Sequence, residues 1–168
     1  GKETVNVGGE NHEKQKGSQI LDQFGRNLTQ SVAQSCIIIA FGLMPLAGEP
    51  DRGAFLQWLF WCTNTLQEDL QHWWHADNYL DTEPARHELK AVSERRLGRM
   101  FSQIDSALGR AGPYMLGERF SAVDIFLVML CRWTRAMATP ATSYPNLNRL
   151  IGLVTARPAW AAMMLAEG

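Results

Sequence analysis

The chain has 168 residues, with 16 Lys and Arg against 17 Asp and Glu and a net charge of -1. It is long enough for one sizeable core, and it carries no field that would gather a polyanion. A hydrophobic share of 46% and a charged share of 20% exclude disordered and low-complexity classes, and the most apolar run, Cys36 to Ala47, is broken by Pro45 and falls short of the ~18 apolar residues of a membrane span. Gly1 to Gly17 contains no apolar leader, so the expectation is a cytoplasmic protein with neither nucleic acid nor a membrane as partner.

Residue choice changes near residue 45. The first 50 residues hold 4 basic and 5 acidic residues and no Trp; the rest hold all six Trp and 12 basic residues, of which only Lys90 is Lys. Within residues 1–17 only Val5 and Val7 are appreciably apolar, which predicts a flexible arm, since so little surface can be buried. From Ser18, Ile20, Leu21, Phe24, Leu28, Val32 and Cys36 recur at helical spacing. Gly25 interrupts that pattern, and Arg26-Asn27 fits a turn equally well. A helix over Ser31–Phe41 is the firmer expectation: Ser31 and Gln34 have capping-box spacing, and Gly42 with Pro45 would end it.

The body reads as helices. Phe55, Leu59, Cys62, Leu66, Leu70 and Trp73 form one stripe from Arg52 to about Trp74. A second long helix runs from Pro84, suited to a first turn, through Leu89, Val92, Leu97, Phe101, Ile104 and Leu108, with Gly109 and Gly112-Pro113 closing it. Ser121 and Asp124 then form a capping box with Phe120 and Ile125 placed as a staple. The helix after it, Ala122 to about Ala136, is apolar on nearly every side and should be the central buried element. Shorter helices near Tyr144–Thr155 and Pro158–Leu165 finish an all-α chain in which no strand pattern follows residue 45. Cys36, Cys62 and Cys131, odd in number and widely spaced in apolar runs, read as buried free thiols.

Gly112-Pro113-Tyr114-Met115-Leu116-Gly117-Glu118-Arg119-Phe120-Ser121-Ala122-Val123-Asp124-Ile125 resembles the signature of the all-helical C-terminal domain of cytosolic glutathione transferases. Tyr144-Pro145-Asn146-Leu147 and Arg157-Pro158-Ala159 are similar to that family's closing segment, and Leu56-Gln57-Trp58-Leu59 to the start of the domain's long first helix. The resemblance covers residues 43–168 and implies a glutathione-transferase C-terminal-like helical bundle over 44–168. Upstream, Gly25-Arg26-Asn27-Leu28-Thr29-Gln30-Ser31-Val32-Ala33 resembles the end of the family's thioredoxin-like domain. There the helix start holds the γ-glutamyl carboxylate of glutathione through exposed N–H groups and the helix dipole. Gln30 and Ser31 are the matching positions, so the resemblance implies glutathione as the bound cofactor.

The departures concern chemistry. Only 24 residues precede Gly25 and none is Pro, so neither the family's activating hydroxyl or thiol nor its cis-proline strand has a counterpart, and residues 18–43 read as a remnant. No catalytic residue is assigned. Some bacterial members place His and a basic residue in the first long helix; Gln67 and Glu68 stand there in this chain, and Glu68 would oppose a thiolate.

Other groupings have plain accounts. His72 and His75, with Asp69 and Asp77 nearby, lack a further ligand for a metal site and read as solvated or capping residues at a helix end. Arg95, Arg96 and Arg99 read as a solvated face. Most of the six Trp suit the core, with Trp58, Trp61 and Trp74 as candidates for a hydrophobic cleft; adjacent Trp73 and Trp74 point about 100° apart, so one must face outward. The first expectation is a non-catalytic binding or oligomerising module, a homodimer with a cleft for a small hydrophobic molecule. The alternative is a glutathione transferase whose site, with Gln30 and Ser31, is completed across a dimer.

Overall fold

In the computed structural model the described residues are 42–167. The predicted arm at 1–17, nearly all of the 18–43 remnant, the Ser31–Phe41 helix and Gln30, Ser31 and Cys36 lie outside them. The described residues form six α-helices: α1 Arg52–Trp61, α2 Gln67–Trp74, α3 Glu83–Ala111, α4 Ala122–Arg132, α5 Pro145–Thr155 and α6 Pro158–Glu167. Short 3-10 turns sit at Ala76–Asn78, Trp133–Ala136 and Ala141–Ser143. The all-α expectation holds over these residues; the extended pairings are two single-residue bridges, Tyr114 with Gly117 and Leu116 with Arg119, between α3 and α4.

The stripe from Arg52 to Trp74 is one helical run, but not one α-helix. Cys62–Leu66 is a π turn, with the backbone N–H of Gln67 reaching Cys62 O. The extra residue in that turn rotates α2 by about 100° relative to an unbroken helix. Phe55, Cys62, Leu66 and Leu70 are buried as the stripe requires, Leu59 and Trp73 are only half-buried, and Asp69, three residues after Leu66 and on the same face, is 3% exposed.

Helix α3 has 29 residues, starts with Pro84 in its first turn and buries Ser93, Leu97, Phe101, Ile104 and Leu108. Gly109 does not close it, as the sequence suggested. It lies within the helix, and a Cβ there would stand 3.1 Å from Asn146 Nδ2, so its role is to admit the start of α5. Gly112 closes the helix at φ 127°, a backbone state that disfavours side chains. Asp105 of α3 exploits the close approach at Gly109: it accepts from the N–H groups of Asn146 and Leu147 at 2.7 and 3.0 Å and from Asn146 Nδ2 at 3.1 Å. One helix thus caps the N-terminus of another. Asp105→Ala should cost about 2 kcal/mol, read as a lower urea midpoint, and Asp105→Asn should recover part of it.

Helix α4 has no exposed residue: Val123, Asp124, Leu127, Val128, Leu130 and Cys131 are buried and the others half-buried. It packs against α1 and α5, while α3 packs against α2 and α5. The core is one continuous cluster with α4 at its centre. The α-helix stops at Arg132, and the last turn of the predicted element, Trp133–Ala136, tightens to 3-10.

Candidate functional site

At the start of α4 the capping box is formed in both directions. Asp124 Oδ2 accepts from the Ser121 N–H at 2.8 Å and the Ser121 hydroxyl at 3.0 Å, and Oδ1 accepts from the Met115 N–H at 2.8 Å. Both residues are fully buried, so this polar knot ties the 114–121 turn to the central helix. Burial pushes the Asp124 carboxyl above its ordinary value, opposed by these hydrogen bonds. Phe120, expected to staple onto Ile125, lies edge-on to Tyr114 and beneath the Arg157 guanidinium, 3.8 Å from its ring centroid.

The two described cysteines are buried and free. Burial, and then the charge of Asp124, push the Cys62 thiol up to about 12; burial, with Cys62 adding to it, pushes Cys131 up as well. Neither can supply a thiolate near neutral pH.

Of the cleft candidates, Trp58 and Trp61 form an edge-to-face pair, centroids 5.7 Å apart, half-buried against the core. Trp74 is 37% exposed and lies at the other end of the α1–α2 run. It meets Trp73 edge-on at 5.2 Å and donates Nε1–H to Trp133 O at 2.9 Å. With His75, Trp133 and Arg135 it lines a recess of about 250 Å³. The structure therefore brings Trp74 together with Trp133, on the end of α4, and places the Trp58–Trp61 pair elsewhere. Arg135 was missed from sequence because nothing in a linear reading relates it to Trp74.

His72 sits between Glu68, 3.4 Å from Nε2, and Asp69, 3.7 Å from Nδ1, with its ring on Tyr79. His75 caps the end of α2. Among the described residues no group of three or more His, Cys, Asp or Glu could hold a metal ion. The basic face on α3 needs correction at one position: Arg96 Nε is bonded to the buried Asp69 Oδ2 at 2.8 Å, so it ties α3 to α2, while Arg95 and Arg99 are exposed. No described helix is long and apolar enough to cross a membrane.

Residues 68–163 match the family model described as the glutathione S-transferase C-terminal domain. The chain belongs to the glutathione S-transferase family. Its fold is similar to that of a Sulfitobacter glutathione transferase homolog solved with bound glutathione, at TM-score 0.69 and 22% identity over 79% of this chain and 63% of that one. It is also similar to BphK, a bacterial glutathione S-transferase solved as a ternary complex, at TM-score 0.68 and 25% identity over 86% of this chain and 67% of that one. A sphingomonad glutathione S-transferase complexed with glutathione matches at TM-score 0.66 and 25% identity, over 77% of this chain and 60% of that one. The matched region is thus between 60% and 67% of each transferase's length. No curated protein sequence matches the chain. The match to the family's C-terminal domain falls within the helical region α1 to α6, and Gln30 and Ser31, expected from the resemblance at the glutathione carboxylate, lie outside the described residues.

Proposed function

We propose that this chain is a non-catalytic binding and oligomerising module of the glutathione transferase type, cytoplasmic and homodimeric, that receives a small hydrophobic molecule against its exposed tryptophan. The observation that carries this reading is the Trp74 recess: an indole held by its hydrogen bond to Trp133 O, edge-on to Trp73 and open to solvent on one side. An aromatic face fixed in this way loses little side-chain freedom when a flat apolar molecule lands on it. The buried thiols support the non-catalytic half, because a thiol at about 12 is protonated under physiological conditions. Trp58 and Trp61 are the other cleft candidates, as a separate apolar surface on α1.

Calorimetric titration with uncharged 1-naphthol tests the reading. Saturable binding that Trp74→Ala weakens at least fivefold is the expected outcome; a linear heat of dilution overturns it. A monomer by light scattering would overturn the homodimer.

A second reading is favoured by the glutathione bound in the Sulfitobacter and sphingomonad structures. In it Gln30 and Ser31 hold the γ-glutamyl carboxylate at a helix start, where free N–H groups and the dipole favour an anion, and a second subunit completes a transferase site. Titration with glutathione separates the two readings: binding abolished by Ser31→Ala supports the second, and no heat at millimolar glutathione removes it.

A further inference from the structure

Beside the Trp74 recess, and sharing Arg135 with it, lies a larger recess of about 480 Å³. Its apolar lining includes Val128 of α4, Pro140 of the following loop and Ile151 of α5; Arg132, Arg135 and Thr142 supply donors. That volume falls in the range of small-molecule sites, and an apolar floor with a few convergent polar groups is their usual chemistry. The geometry points to a binding site for a small organic anion, an aromatic or aliphatic carboxylate or sulfonate, with its apolar body against Val128 and Ile151 and its charge between the two guanidinium groups.

The walls are held in place. Thr134, 1% exposed, donates to Cys131 O at 2.7 Å and accepts the Ala141 N–H at 2.9 Å, which pins the 137–141 loop to the end of α4. The cations are oriented yet retain donors. Arg135 Nη1 donates to Arg132 O at 3.2 Å, the Arg132 guanidinium lies over the Trp160 ring at 5.8 Å, and neither takes part in an ion pair among the described residues. A guanidinium has five N–H donors, so one backbone bond leaves a fork for an oxyanion.

A helix C-terminus carries partial negative charge and should repel an anion. Here the carbonyls of Cys131, Arg132 and Trp133 are each capped by a side-chain donor, from Thr134, Arg135 and Trp74 respectively. These bonds offset part of that negative charge, and the two arginines add positive charge beside it; Glu94, which accepts from the Ala138 N–H at 2.9 Å, is engaged by the loop backbone.

This inference goes beyond the neutral ligand proposed for Trp74, and one set of titrations on the full chain separates them. Naphthalene-2-sulfonate and its uncharged isostere naphthalene-2-sulfonamide are compared by calorimetry, with 1-naphthol as competitor. The expected result is saturable sulfonate binding, at least tenfold tighter than the sulfonamide, weakened about five- to tenfold by Arg135→Gln and by Arg132→Gln, and not displaced by 1-naphthol. Equal affinity for the two isosteres, displacement by 1-naphthol, or unchanged affinity in the arginine variants overturns the site. Arg135 is exposed, so its variant keeps the test decisive should Arg132→Gln, which gives up the Trp160 contact, fail to fold. Failure of the sulfonate with 1-naphthol still binding removes this inference and leaves the Trp74 reading standing.

Discussion

Asp124→Ala should lower the free energy of unfolding by about 4 kcal/mol at neutral pH, measured by urea denaturation. The carboxylate accepts three hydrogen bonds, from the Met115 and Ser121 N–H groups and the Ser121 hydroxyl, at a site with no solvent exposure. Removing the acceptor strands buried donors at about 1–3 kcal/mol each, partly relieved by rotation of the hydroxyl. Asp124→Asn should cost less, because the amide oxygen still serves one side of the knot. The pH dependence has a definite sign. Burial raises the native carboxyl above its ordinary 3.8, with the hydrogen bonds opposing. A raised native value means that the folded protein binds the proton more tightly than the unfolded chain. The stability this titration contributes is complete below pH 3.8 and is lost as pH rises through the raised native value. The gap between wild type and Asp124→Ala should therefore narrow with rising pH over that window. A gap that is flat, or that widens, would show the hydrogen bonds outweighing burial.

That knot was legible in the sequence because it is local. Ser121 and Asp124 are three apart, and a capping box needs only the spacing and the helix that comes after it. The helical stretches after residue 51 were legible for a similar reason: the Arg52–Trp74 run, α3 and α5 each bury one face at a regular period, and α4 is apolar nearly all round. The place where that period breaks failed to show. The π turn at Cys62–Leu66 uses residues that an unbroken helix would accept, and only packing against α4 and α3 decides that the following turn should rotate. Gly109 misled in the same way: it carries the signal of a helix end, yet its function is set by Asn146 from a distant helix. The candidate sites divide likewise. Trp74 could be suspected from its adjacency to Trp73, whereas its partners Trp133 and Arg135 come from an element 59 residues further on, a relation that a reading of spacing does not contain.

Asp69 and Arg96 give the second large effect, in an order that exposure alone would reverse. The Asp69 side chain is 4% exposed and the Arg96 side chain 51%, so truncating the arginine looks the milder change. Charge burial dictates the opposite order. Once Asp69→Ala removes the carboxylate, the guanidinium can turn to water, and about 1–2 kcal/mol is lost with the bond. Once Arg96→Ala removes the cation, a buried carboxylate keeps only His72, 3.7 Å from Oδ1, and an uncompensated buried charge is among the costlier defects a fold can carry. A loss of about 3 kcal/mol is expected, above the roughly 0–1 kcal/mol of an ordinary surface pair. The double variant should be no less stable than Arg96→Ala alone, because deleting the stranded carboxylate relieves the defect. Urea midpoints of the two single variants and the double variant close the cycle. Losses that simply add would mean that the two side chains are not coupled, and that Arg96 belongs to the solvated face with Arg95 and Arg99.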